Sequence, residues 1–220
     1  MQKEKIQKAP AKIEYMKKQK NFLLILSVIT FSFLIWSLIN PKDYLVWLLE
    51  VFPALIGISI LLIIYKKFKF TTMVYFFIAL HSIILFIGGH YTYAENTFFN
   101  WLKVQFDLSR NYYDRLGHLA QGFVPALIAR EFLLRKTKLE KGKMLFFLVV
   151  SVTLAISATY ELFEWLAALV ASPGTGNAFL ATQGDIWDTQ WDMFLALVGA
   201  ITSLFLFSKK QDNDLRLLEN

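Results

Sequence analysis

Cysteine is absent from the 220 residues, which excludes disulfides, thiol nucleophiles and Cys-ligated zinc or iron-sulfur sites. Two other signatures are missing: the G-x-S-x-G elbow of serine hydrolases and the H-E-x-x-H of zinc proteases. The glycines of SPGTGNAFLATQG are followed by no Lys-Ser or Lys-Thr, as a phosphate-binding loop requires, so the 171–187 segment reads as a flexible lid or a connector. No internal repeat, low-complexity tract or long polar stretch interrupts the chain. What is abundant is apolar surface: 56% hydrophobic and 16% aromatic residues, with a mean hydropathy of +0.45. That exceeds a soluble domain's composition of about half apolar residues. The expectation is an integral membrane protein, folded as one all-α, polytopic transmembrane helix bundle.

Six apolar runs are read, at 21–39, 44–65, 72–89, 113–134, 144–170 and 188–207, each near the 20 or so residues a span requires. The fourth is the least apolar, since it holds Asp114, Arg115, His118, Gln121, Arg130 and Glu131; by hydropathy alone it could be an amphipathic surface helix. The basic residues decide between these readings. With six spans, 18 of the 23 Lys and Arg fall on the side of the termini and three on the other, a positive-inside pattern with both termini cytoplasmic. A non-spanning fourth run would put the KKFKF and RKTKLEKGK clusters on opposite faces. This placement also explains the net charge of +6 and pI near 9.4 without nucleic acid.

The expected layout is therefore a basic cytoplasmic segment at 1–20, a single transmembrane domain at 21–208 and a cytoplasmic tail at 209–220. The first run is longer than a signal-peptide core and ends in INPKD rather than at a small-residue cleavage site, so it reads as a retained anchor. Between the third and fourth spans, TFFNWLKVQFDL spaces Phe98, Leu102 and Phe106 as a short interfacial helix on the outer face would. Trp36, Tyr44, Trp47, Tyr91, Tyr93, Trp165 and Trp187 fall near outer span ends, as an aromatic belt would.

Ionisable groups inside a membrane are costly and usually functional. Here they concentrate in NYYDRLGH (Asp114, Arg115, His118), YELFEW (Tyr160, Glu161, Glu164) and GDIWDTQWD (Asp185, Asp188, Asp192), which six spans place at one outward level. His90 reaches the same face, Glu50 lies about two turns below the outer end of its helix, and His81 sits deeper. Asp114 and His118, like Asp188 and Asp192, are four apart and Glu161 and Glu164 three apart, so each pair shares a helix face. Asp114, Glu161, Glu164, Asp188 and Asp192 outnumber Arg115 five to one, an excess that protons or a cation must offset. Carboxylates with a histidine suit divalent ions such as Mn, Fe, Zn, Mg or Ca, with His118, Glu161, Glu164, Asp188 and Asp192 as candidate ligands. Structural roles compete. Asp114, Asp185 and Asp188 stand where acids cap helices, Arg115 can pair with the glutamates, His118 and His81 can be hydrogen-bonded interior histidines, and Arg130 with Glu131 reads as the cytoplasmic interface.

GGHYTYA, RNYYDRLGHLAQGFVPAL, YELFEW and TQGDIWDTQWDM, spread over nearly the whole chain, resemble a family of uncharacterised bacterial inner-membrane proteins, the YjdF-type family. That resemblance implies a multi-span inner-membrane protein without an established activity. A more distant similarity is to VanZ-like membrane proteins, whose D-[KR]-x-x-H is matched by Asp114, Arg115 and His118, whose E-x-x-Q is matched at Glu161, and whose D-x-x-x-N with spaced glycines is matched at Asp188 and Gly199. Glu164 stands where that family tends to have Gln, and Asp192 where it tends to have Asn. The similarity implies a cell-envelope setting and no particular reaction.

Three function classes follow. The first is a metal-dependent enzyme acting on a lipid or lipid-linked headgroup at the bilayer surface, with Asp114, Arg115, His118, Glu161, Glu164, Asp188 and Asp192 as candidate catalytic residues. The second is a proton- or ion-coupled transporter, which requires polar groups through the whole membrane depth, whereas here His81 is the main polar group of the inner half. The third is a non-catalytic binding or scaffold protein. The residues leave all three open, along with the oligomeric state.

Overall fold

The computed structural model describes residues 2–219, with side chains for 12–218, and every regular element among them is helical. The long helices are α1 (Gln2–Leu38), α2 (Tyr44–Ile64) and α3 (Thr72–Tyr91). After the short α4 (Thr97–Gln105) come α5 (Tyr113–Lys136) and α6 (Lys143–Val170), then the short α7 (Pro173–Leu180) and α8 (Asp188–Glu219). Five of them, α1, α2, α3, α6 and α8, are long and apolar enough to cross a membrane. The sixth long helix, α5, has 24 residues against 20 for α3. Its low hydropathy has a tertiary explanation. It occupies the centre of the bundle against α3, α6 and α8, and Asp114, Arg115, His118, Arg130 and Glu131 are all buried there rather than facing lipid. The chain is a polytopic helical bundle.

Cross-links between helices fix their directions. Gln19 bonds the carbonyl of Phe70 while the carbonyl of Ser37 meets His90, so α1 runs parallel to α3. Arg115 meets Asp192 while Arg130 meets Gln211, so α5 runs parallel to α8. The termini and the 65–71 and 137–142 connections therefore share one end, and α4 and α7 share the other, here the α7 end. The terminal segments are helical continuations of α1 and α8, tied into the bundle by Gln19 and the fully buried Gln211.

Small residues bring α5 and α8 into backbone contact. A Cβ on Gly122 would lie 1.8 Å from the carbonyl oxygen of Ala196, and one on Gly199 would lie 2.2 Å from that of Leu119. Close approach through small residues is how helices associate where lipid removes the hydrophobic drive. Here it sets the polar ends of α5 and α8 face to face.

The interfacial helix expected from TFFNWLKVQFDL is α4, with no buried residue and with Phe98, Trp101, Val104 and Phe106 exposed around it. The aromatic belt is partial. Trp36, Tyr44, Trp165 and Trp187 are exposed, but Trp47 and Tyr93 are core residues. The Trp47 indole donates to Ser37 Oγ at 3.1 Å, and the Tyr93 ring packs over Gly88. The 171–187 segment is a docked cap rather than a plain connector. Ser172 caps α7 and Phe179 buries its ring, which fastens the segment over α6.

Candidate functional site

The three polar stretches meet at the α7 end. Asp114, Arg115 and His118 on α5, Glu161 and Glu164 on α6, and Asp188 and Asp192 on α8 are all buried. They form two adjoining halves. In the guanidinium half, Arg115 reaches Asp188 Oδ1 at 2.7 Å and Asp185 Oδ2 at 3.1 Å, and also pairs with Asp192. Arg110 contacts the same Asp188 oxygen at 2.6 Å, Asp114 at 3.5 Å and the carbonyl of Ala181 at 3.1 Å.

The imidazole half centres on His118. Its Nε2 lies 3.4 Å from Asp114 and 3.8 Å from Asp192, and its Nδ1 lies 3.5 Å from Glu161 and 3.0 Å from Gln121. Two sets of potential ligand atoms therefore share this ring: Asp114, His118 and Asp192, and His118, Glu161 and Glu164, the atoms of each set lying within 4.8 Å of one another. Glu161 Oε1 is buried and has no hydrogen-bond partner. Asp188 belongs to the guanidinium half instead, since one of its oxygens is already shared by two arginines.

Of the three acids expected to cap helices, only Asp185 is seen accepting from a backbone amide. Asn111 Oδ1 accepts from the amide of Tyr113 at the start of α5, and Asp185 Oδ1 accepts from that of Trp187, while Asp114 spends its oxygens on His118 and the arginines. Nor is Arg115 the partner of the glutamates: His118 is what approaches Glu161.

Arg110, counted with the basic residues of the connecting segments, does lie between α4 and α5 but is buried in the cluster. It precedes Asp114 by one helical turn, a spacing that signals a pair, but only the fold of 106–112 turns it inward. Asn111 fixes that segment by donating to Asn96 and Asn100, and its backbone exchanges two hydrogen bonds with the side chain of Gln183. Glu50, fully buried on α2, makes no hydrogen bond of ordinary length, and the Tyr93 hydroxyl is the polar group beside it. His90 is not brought to the cluster, since it stacks on Trp36 and contacts Ser37. His81 lines a cavity that His118 and Tyr160 also border, and no hydrogen bond to it forms among the described residues.

At the opposite end of the bundle, Arg130 and Glu131 are not an interface pair. Glu131 is fully buried, accepting from Thr71 N at 3.0 Å and Thr71 Oγ1 at 2.8 Å and pairing with Arg135 at 2.8 Å. Arg130 donates to Gln211 at 2.9 Å and Asp212 at 2.8 Å. Snorkelling is replaced by a network because the extended α8 covers both side chains.

Fold and site together define a multi-pass helical membrane protein with a buried, acid-rich polar cluster at one end. Residues 22–213 match the family described as "Predicted membrane protein (DUF2238)", and the chain belongs to that family. It is 46% identical over 198 residues to the inner membrane protein YjdF of Escherichia coli (strain K12), covering 90% of this chain and 94% of that relative. No solved structure matches the chain. The protein is accordingly a multi-pass inner-membrane protein.

Proposed function

We propose that the protein is a membrane enzyme of the cell envelope, its α7 end facing outward, in which the imidazole half of the cluster holds a divalent cation beside a lipid or lipid-linked headgroup. The observation that carries this reading is the sharing of His118 by two sets of buried carboxylates. Six acids, including Asp185, face only Arg110 and Arg115, and those arginines are taken up chiefly by the aspartates. That leaves Glu161 Oε1 and Glu164 without a cationic side chain other than His118. Oxygen donors with one imidazole suit hard or borderline divalent ions.

A bound ion would supply Lewis acidity towards a phosphate oxygen or a water molecule. The side chains would do the rest. Asp114 and Asp192 approach His118 Nε2, and Glu161 Oε1, free of hydrogen bonds, is placed to accept a proton. Arg110 and Arg115 act as positioning residues, holding the aspartates of α5 and α8 in register rather than waiting for an anion. The orientation rests on the charge asymmetry of the loops.

The test is metal analysis of the protein purified in mild detergent. Wild type loaded with Mn, Fe, Zn, Mg or Ca should retain close to one ion per chain, and His118→Ala and Glu161→Gln should lose it. A wild type that retains none of the five sinks the reading. The polar network around Glu131 favours a second reading, an ion-coupled transporter, because it places buried polar groups in both halves of α5. Between the two clusters, however, α5 offers the buried apolar Val124, Ala126 and Leu127. A pH-dependent substrate flux into proteoliposomes would favour the transporter.

A further inference from the structure

The cluster borders a cavity of about 630 Å³ enclosed by α2, α3, α5 and α6. Its size is that of a site for a small ligand, in the range of 300–1,000 Å³. Its walls are hydrocarbon, with Phe52 and Ile56 from α2, Ile78 from α3, Ile128 from α5, and Ile156 and Phe163 from α6. Tyr93, His118, Gln121 and Tyr160 contribute polar groups to the same cavity; His81 of α3 also lines it, while the Ser82 and Thr159 hydroxyls bond carbonyls of their own helices.

Three observations point to an occupant. First, the hydroxyl of Tyr160 is buried without a hydrogen-bond partner, and that of Tyr93 has only the Glu50 carboxyl beside it. An orphaned hydroxyl in apolar surroundings costs roughly 1–3 kcal/mol, so Tyr160 calls for an acceptor in the cavity. Second, α2 and α6 share no extended interface. Phe52 and Ile56 on one helix and Ile156 on the other are each more than 40% exposed, so the gap between them opens sideways, towards lipid in a bilayer. The stacked rings of Phe52 and Phe163, backed by Phe179 of α7, close that gap near the polar cluster. Third, α2 and α5 each place a proline in this wall, Pro53 and Pro125. An interior proline removes the hydrogen bond to the carbonyl four residues back and bends the helix, which favours an opening over tight packing.

We propose that this cavity is a lateral binding site for a hydrocarbon chain of a membrane lipid, with the acceptor-rich ester or phosphate-ester end of that chain held by the Tyr93 and Tyr160 hydroxyls and the Gln121 amide, beside His118. The proposal deepens the headgroup reading above and rests on it for the ligand's direction, polar end towards the acids. Apolar cavities do not hold ordered water, and one that opens to a bilayer is filled by what the bilayer supplies. Largely apolar walls with hydrogen-bond donors at the cluster end are complementary to an amphiphile.

Gly57 provides the test, because it lines the cavity and a Cβ there would meet nothing within 4 Å. A phenylalanine at 57 should therefore fill the cavity without displacing a helix. The probe is phosphatidylglycerol carrying a diazirine at the end of one chain, in phosphatidylethanolamine vesicles containing the full chain. Wild type should be photolabelled on cavity residues such as Ile78 and Ile128. Gly57→Phe should lose about tenfold of that labelling, because the ring displaces a few methylenes' worth of burial. Ile156→Trp, at the lipid-facing mouth, should reduce it as well, and it carries the test if Gly57→Phe fails to fold. Tyr160→Phe should weaken labelling less, since it removes one polar contact. Labelling that is confined to the outer surface of the bundle, or that persists undiminished in a folded blocking variant, overturns the proposal. Metal content measured on the same samples separates the two readings: chain labelling without metal leaves this site standing while the metal reading falls, and metal without chain labelling does the reverse.

Discussion

The two ends of α5 both carry buried charge, more of it at the α7 end, and treat it differently. At the end shared by the termini, Glu131 is matched by Thr71 and Arg135, and Arg130 by Gln211 and Asp212, so each charged group has its partners within hydrogen-bond reach. At the α7 end the acids outnumber the arginines, and Glu50, Tyr93, Tyr160, Arg110 and Glu161 each keep a buried polar atom without a partner. A satisfied network is what a fold needs in order to bury polar groups at all. An unsatisfied one stores a cost, and such a cost persists where a ligand, proton or ion offsets it. The contrast separates structural polarity from candidate chemistry more sharply than burial does, because both clusters are buried.

The largest expected effect tests the structural end. Glu131→Ala removes the acceptor of Thr71 and the carboxylate partner of Arg135, which keeps the Lys69 carbonyl, and should destabilise the protein by about 3–5 kcal/mol, the usual result of removing one member of a buried pair. Thermal unfolding in detergent would show it, and an unchanged midpoint would break the comparison. Arg115→Ala removes the cation that Asp185, Asp188 and Asp192 share. It should cost about 3 kcal/mol by the same reasoning, and, unlike Glu131→Ala, its midpoint should recover partly when Asp188→Asn is added.

A smaller effect concerns the imidazole half. Chelation of a resident ion should lower stability by about 2–3 kcal/mol for an ion present at a hundred times its Kd, whereas Glu161→Gln should be insensitive to chelator. The smallest is at the surface. Lys42 and Glu95 form an ion pair in which both side chains are about half exposed, and Lys42→Ala should change stability by less than about 1 kcal/mol. A larger loss would show that this end of the bundle is more tightly coupled than its exposure suggests.

Much of this was legible in the sequence. The positive-inside count kept α5 in the bundle although its hydropathy excludes it, and the three polar stretches, read from the sequence as lying at one level, meet at one end of the bundle. Arg110 was not legible, because a basic residue outside an apolar run is counted with the loops unless the backbone around Asn111 is known to fold inward. The division of the acids between two arginines and one histidine was equally hidden. Spacing along a helix fixes which residues share a face, but not which face of the neighbouring helix they meet.

Composition and periodicity by themselves determined a helical membrane bundle and the level of its polar groups, because hydrophobic length and charge placement act locally along the chain. Tertiary structure alone decided which charges are paired. That outcome depends on the backbone contact of α5 with α8 at Gly122 and Gly199, on the docking of α7 over α6, and on the gap between α2 and α6. Each is a relation between segments far apart in sequence, and no local pattern encodes the distances on which ion pairing and orphaned hydroxyls depend.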